Sequence, residues 1–303
     1  MSVAIGTHDR IGLGIASMMV AVAAMSAMDA VAKWLGQGYP IVEIVFFRNL
    51  FALLPIFFIV WQGGGRAALK IGWGFGFFLR AALGMGAMLT FFTGLRYLPL
   101  AEAFAIAFVA PLFVTLLSIP LLGEQVGARR WGAVIVGFIG VLVMTRPGAE
   151  AFQPAALLIL AAALFYALAM LVTRRLARTD STPSILLYTT GLSLVASAAL
   201  LPFGWRSPTG EDLMLFALLG LIAGGGNYFM TQAYRHAPAA VVAPFDYTAL
   251  IWGTILGWLI WHELPGPHVW LGVAILVASG LYIIHRETRL GRTQKKLDPI
   301  GID

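Results

Sequence analysis

Ten apolar stretches, each near the length that crosses a bilayer, leave this chain few ways to fold. They run approximately over Ile11–Leu35, Val42–Trp61, Ile71–Leu95, Leu100–Leu122, Trp131–Thr145, Pro154–Arg174, Ser184–Pro202, Leu213–Tyr234, Ala239–His262 and Val269–His285. Polar and Gly/Pro-rich breaks separate them: GQGYP before Val42, QGGGR after Trp61, RPGAEAFQP after Thr145, TDSTP before Ser184 and GWRSPTGED before Leu213. Soluble domains carry about 25% charged residues; here 11% are charged and 60% hydrophobic. So much apolar surface cannot be hidden inside one water-facing fold. The prediction is an all-α, polytopic membrane protein of ten transmembrane helices, with the lipid bilayer as its first partner. No cleavable signal is expected, because Ile11 onward reads as a full-length span. The chain contains no cysteine, which excludes disulfides, thiolate metal sites and thiol catalysis.

The stretches are organised as a duplication. GLRYLPLAEAFAIAFVAPLFVTLLSIPLLGE, ending at Glu124, recurs in weaker form as AYRHAPAAVVAPFDYTALIWGTILGWLIWHE, ending at Glu263. Aligning them places Arg96 on Arg235, Pro99 on Pro238, Glu124 on Glu263 and Trp131 on Trp270. The expected units are residues 1–148, a connecting loop 149–153, residues 154–287, and a basic cytoplasmic tail over 288–303. The lysine and arginine balance orients them. With both termini inside, the inner segments hold Arg10, Arg66, Lys70, Arg129, Arg130, Arg174, Arg175, Arg178, Arg235 and the basic run from Arg286 to Lys296; the outer loops keep Arg96, Arg146 and Arg206. This bias accounts for the net charge of +6 without a nucleic-acid partner. Five spans per half is an odd number, so the halves must cross the membrane in opposite senses. An inverted-topology repeat of this kind supports alternating access.

Charges inside a membrane cost on the order of 2.5–3.5 kcal/mol each and need a reason. Asp29 and Lys33 share a face of the first helix. They read either as part of a neutralised cluster with Glu43 and Arg48 or as cavity groups that meet a charged substrate. Arg80 in helix 3 either snorkels to the inner interface or holds a substrate carboxylate. Asp246 lies two residues after Pro244, where the helix is locally open beside an acid. Pro111 and Pro244 are read as helix bends, with gating or simple curvature as the alternatives. Glu102 is expected near the outer interface with Arg96 as partner, and Glu124 and Glu263 in helix-end salt bridges. The run GGGNYFMTQAY permits close packing at Gly224–Gly226 and sets Asn227, Tyr228, Thr231 and Gln232 in an apolar wall. Thr90 and Tyr166 are further candidates. Trp34, Phe91, Phe92, Tyr166, Tyr228 and Tyr247 either stack on a flat substrate or serve packing and the interfacial belt.

No HExxH, P-loop, GxGxxG after a strand or CxxC is present. The expectations are therefore no enzyme activity, no metal and no cofactor, with any transport driven by a gradient.

The segments LRYLPLAEA, AFVAPLFVTLLSIPLLGE, AYRHAPAAVVAPFDYTALIWG and HELPGPHVWLGVAILVASGLYIIHRE resemble the EamA family of the drug/metabolite transporter superfamily. The resemblance covers nearly the whole chain and is specific for fold and transport. It implies a cavity lined by helices 1, 3, 4, 6, 8 and 9, with helices 5 and 10 peripheral. It also implies a small-molecule substrate. The leading expectation is export of amino acids or similar zwitterions, as by YddG-type members. The alternative is a carrier for a heteroaromatic or cationic compound such as riboflavin, S-adenosylmethionine or a drug-like cation. A membrane enzyme or lipid-handling protein is the reading from a different class; the five scattered histidines give it little support.

Overall fold

The computed structural model describes residues 5–62, 65, 69, 71–122, 128–146 and 153–297, and every regular element among them is helical. Single helices make eight of the ten crossings: α1 (Ile5–Leu35), α2 (Ile41–Gln62), α3 (Gly74–Leu95), α6 (Ala128–Thr145), α7 (Ala155–Leu176), α8 (Thr182–Leu200), α9 (Gly210–His236) and α12 (Pro267–Leu297). The fourth crossing is shared by α4 (Leu100–Ala107) and α5 (Ala110–Leu122), and the ninth by α10 (Ala239–Val242), a 3-10 segment over Ala243–Thr248, and α11 (Ala249–Trp261). Seven helical stretches among the described residues are long and apolar enough to cross a membrane. The expected inner cations Arg66 and Lys70, the acid Glu124 and most of the 149–153 loop lie outside the described residues.

Local chemistry sets the helix ends. Ser181 Oγ accepts the Ser184 N–H at 3.2 Å, and Thr209 Oγ1 accepts the Asp212 N–H at 3.2 Å; each caps a helix whose first amides lack partners. α11 stops because His262 takes left-handed backbone, φ 57°. The turn lets Glu263 N–H reach Gly257 O at 3.1 Å, which folds Glu263 back beside its helix.

The pairing of helices repeats between the halves. α1 packs along α9, and their counterparts α7 and α3 pack together; α2–α9 is matched by α8–α3. The pairs α2–α8 and α6–α12 each join a helix to its own counterpart, and α4–α11 joins the fourth crossing to the ninth. This is the pattern of a two-fold axis between halves of opposite direction. The alignment that places Arg96 on Arg235 also places Phe108 on Tyr247, and these rings touch, with centroids 4.9 Å apart. It places Gly137 on Leu276 and Gly140 on Ser279. A methyl group at Gly140 would lie 3.2 Å from Leu276 N, and one at Gly137 would lie 2.7 Å from Ser279 Oγ. Each contact is the mirror of the other.

Small residues allow the closest crossings. A Cβ on Gly220 would meet the Arg48 carbonyl oxygen, and one on Gly224 would strike the Pro55 ring. α9 therefore lies almost backbone to backbone on α2, as Gly-lined membrane helices do. The proline inside α2 gave no signal in the sequence beyond its type; its ring fills the space that Gly224 leaves.

Candidate functional site

The buried charges fall into a set at the end of the bundle where α1 finishes and a set deeper inside. At the end of α1, Lys33 is 4% exposed. Its Nζ donates to Glu263 Oε2 at 2.5 Å and to Leu98 O at 2.8 Å, and lies 4.7 Å above the Trp261 ring. Glu263 Oε2 also accepts the Leu100 N–H at 3.3 Å, one of the unpaired amides at the start of α4. One ion pair thus ties α1, α4 and the end of α11 together, and it is the only one among the described residues. Glu102 neighbours Lys33 and Glu263 electrostatically, so the expected pairing of Glu102 with Arg96 is replaced; Arg96 is exposed.

A second set of contacts at the same end joins the α1–α2 turn to the loop before α9. Arg206 Nη1 donates to Gly38 O at 2.6 Å, its backbone N–H donates to Glu43 Oε2 at 3.1 Å, and Tyr39 Oη donates to Asp212 Oδ2 at 2.6 Å. The hydrogen bond to Asp212 raises the Tyr39 hydroxyl above the ordinary phenol range. Glu43 is consumed here. The expected four-residue cluster of Asp29, Lys33, Glu43 and Arg48 is therefore split three ways.

Deeper in the bundle, Asp29, Arg48, Arg80, Tyr166, Tyr234 and Asp246 form a chain of electrostatic neighbours: Asp29 with Arg48, Arg48 with Arg80, Arg80 with Tyr166, and Tyr166 and Tyr234 with Asp246. They come from α1, α2, α3, α7, α9 and the 3-10 segment. Arg80 does not snorkel outward. Its Nε donates to Thr173 Oγ1 on α7 at 2.7 Å, and its Nη1 lies where a Cβ on Gly84 would sit, at 2.5 Å. The side chain thus runs along α3 toward the middle of the bundle. Tyr166 is 48% exposed. Asp246 is half-buried, in the segment that Pro244 opens.

Other candidates turn elsewhere. Thr90 Oγ1 donates to Gly86 O at 2.7 Å, Asn227 Nδ2 to Ala223 O at 2.9 Å and Thr231 Oγ1 to Asn227 O at 2.8 Å, all within their own helices. Gln232 is half-buried, and its carbonyl meets His236 Nδ1 at 2.7 Å. Tyr228 packs edge-on against Phe229. The Tyr247 hydroxyl points at Gly280 of α12, and Asp246 acts on it electrostatically. Pro111 sits in the first turn of α5, and the helix breaks two residues before α5 begins, at Phe108–Val109.

Arg48 and Tyr234 were not among the sequence candidates for the site. Arg48 was grouped with Glu43 because both lie early in helix 2. Five residues of helix separate them by about 7.5 Å along the axis and place them on different faces, and that spacing was the available signal.

The family model for EamA-like transporters matches the chain twice, over residues 12–146 and 153–285. The chain belongs to the EamA-like transporter family. As in that family, it is a multi-pass membrane transporter. A riboflavin transporter of Rhizobium johnstonii is 31% identical over 94% of this chain and 95% of its own. An S-adenosylmethionine uptake transporter of Rickettsia felis is 29% identical over 91% and 94%, and a riboflavin transporter of Vibrio cholerae 29% identical over 92% and 95%. A solved crystal structure shares the fold, with a TM-score of 0.61 over 92% of this EamA-like chain and 98% of its own, at 18% identity.

Proposed function

We propose that this protein is a secondary carrier of a heteroaromatic metabolite, of the riboflavin or S-adenosylmethionine kind, working by alternating access in the plasma membrane with both termini in the cytoplasm. The observation that carries the reading is the interior set of Asp29, Arg48, Arg80 and Asp246 beside Tyr166 and Tyr234. Charges of both signs next to aromatic rings suit a flat ring system with polar substituents. The relatives reported above are named for riboflavin and S-adenosylmethionine. They favour the heteroaromatic alternative over amino-acid export, the leading expectation from the sequence.

The Lys33–Glu263 end of the bundle, the outer one in this orientation, supports the alternating-access part. A single Lys33–Glu263 pair holds three helices that carry no other ion pair among the described residues, which suits a closure that must also open. The test is counterflow in proteoliposomes loaded with riboflavin, S-adenosylmethionine or tryptophan. Accumulation of one of the first two, competed by its own unlabelled form, is the expected result. Accumulation of tryptophan alone would return the reading to amino-acid transport.

A further inference from the structure

Arg48 is a half-buried arginine with no carboxylate paired to it among the described residues. Its Nε is buried and has no partner, and its Nη1 reaches only Asn49 Oδ1 at 3.4 Å and Met88 Sδ at 3.6 Å. Both are weak acceptors at long range. Asn49 Nδ2, beside it, is also buried without a partner. Asp29 acts on Arg48 electrostatically, yet no carboxylate among the described residues lies within ion-pair distance of it. Arg80 adds a second positive charge to the same neighbourhood.

The two guanidinium groups are placed by one helix. Arg80 reaches up α3 to Gly84, and Arg48 meets α3 at Met88. Gly84 and Met88 are one turn apart on the same face, about 6 Å along the axis. Two guanidinium groups that reach the same face of α3 repel in a medium of low dielectric, and a carboxylate or phosphate there would be attracted by both. Asp29 acts on Arg48, and Asp246 and Arg80 both act on Tyr166, yet neither carboxylate forms an ion pair with either guanidinium among the described residues. An interior guanidinium with no anion in contact is costly, and a carboxylate or phosphate brought in by a substrate would supply that contact.

Building on the carrier reading above, we propose that Arg48 and Arg80 form the anion subsite of this transporter, so that the transported compound carries a carboxylate or phosphate and is selected by it. Two pairs of probes differ by one such group. S-Adenosylmethionine has a carboxylate that its decarboxylated form lacks. Riboflavin 5′-phosphate has a phosphate that riboflavin lacks.

The experiment measures uptake of all four by the full chain in proteoliposomes, for wild type, Arg48→Gln and Arg48→Lys. Charge-assisted hydrogen bonds of this kind correspond to roughly ten- to a hundredfold in preference. Wild type should prefer the anionic member of one pair by that factor. The pair that shows it identifies carboxylate or phosphate. Arg48→Gln should collapse the ratio to about one, and Arg48→Lys, which keeps the charge and loses the planar fork, should fall between. Where Arg48→Gln does not survive purification, Gly84→Ala, whose methyl displaces Arg80 Nη1, should lower the same ratio. Transport with no preference in either pair overturns the subsite and leaves the carrier reading standing. So does a preference that persists in folded Arg48→Gln. Uptake of none of the four removes the carrier reading, and the subsite with it.

Discussion

Lys33 shows how a single intramembrane charge is accommodated. Its ammonium has three hydrogens; a carboxylate and a carbonyl take two, and the Trp261 face lies beneath. Lys33→Met would leave Glu263 and Leu98 O without their donor, and breaking a buried pair from one side costs about 3–5 kcal/mol. Because Glu263 is 29% exposed, the lower part of that range is expected, read as a loss of thermal stability in detergent. The double variant Lys33→Met/Glu263→Gln should recover part of the loss. A double variant no more stable than Lys33→Met alone would mean that the cost lies in packing. The charge swap Lys33→Glu/Glu263→Lys should not rescue, because Leu98 O needs a donor on α1. The sequence made Lys33 and Asp29 visible as charges in a span. It did not show that one would be tied off in an ion pair at the end of α1 and the other left in the interior, because the partner of Lys33 lies far along the chain.

At the scale of the element, glycine and proline carry most of the information. Gly224 and Gly225 are neighbours in sequence and opposites in structure. A Cβ on Gly224 would collide with the rigid Pro55 ring, whereas one on Gly225 meets nothing within 4 Å. Gly224→Ala should cost about 1–3 kcal/mol by overpacking, while Gly225→Ala should be neutral or slightly stabilising. Both can be read from melting curves of the purified protein; equal melting temperatures would place α2 and α9 further apart than described. The prolines divide in the same way. Pro111 occupies a first-turn position where its missing N–H was unpaired anyway, so Pro111→Ala should change little. Pro244 starts the 3-10 stretch that holds Asp246, and Pro244→Ala restores a donor that favours regular α-helix. Transport should fall several-fold with the fold kept, and unchanged transport would show that Asp246 does not depend on the irregular stretch. Helix number and the duplication were legible because hydropathy and repeated residue types lie along the chain. The break at Phe108–Val109 was not, because no residue there marks it; the counterpart of Phe108 is the ring in contact with it, Tyr247.

For the whole molecule, orientation is the property that a bilayer adds. A reporter active only in the cytoplasm, fused after Lys296, should give signal, and one fused in the loop between the halves should not. The opposite pattern would invert every statement made above about inner and outer ends. The halves agree in how their helices pair, and they differ in their interior charges: Asp29, Lys33, Arg48 and Arg80 all belong to the first, while Asp246 and Glu263 belong to the second. The framework is symmetric and the chemistry is divided between the halves.

The contact of Phe108 with Tyr247 bears on symmetry. A residue that meets its own counterpart across a two-fold axis is what an isologous dimer contains. In two separate five-helix chains inserted in opposite senses, the same surface would meet itself, and this position would have to suit a copy of itself, as an aromatic ring does. Within one chain the requirement falls away: the pair keeps two rings in contact, their planes tilted by 40°, with one ring bearing a hydroxyl and the other not, a difference that no homodimer could encode.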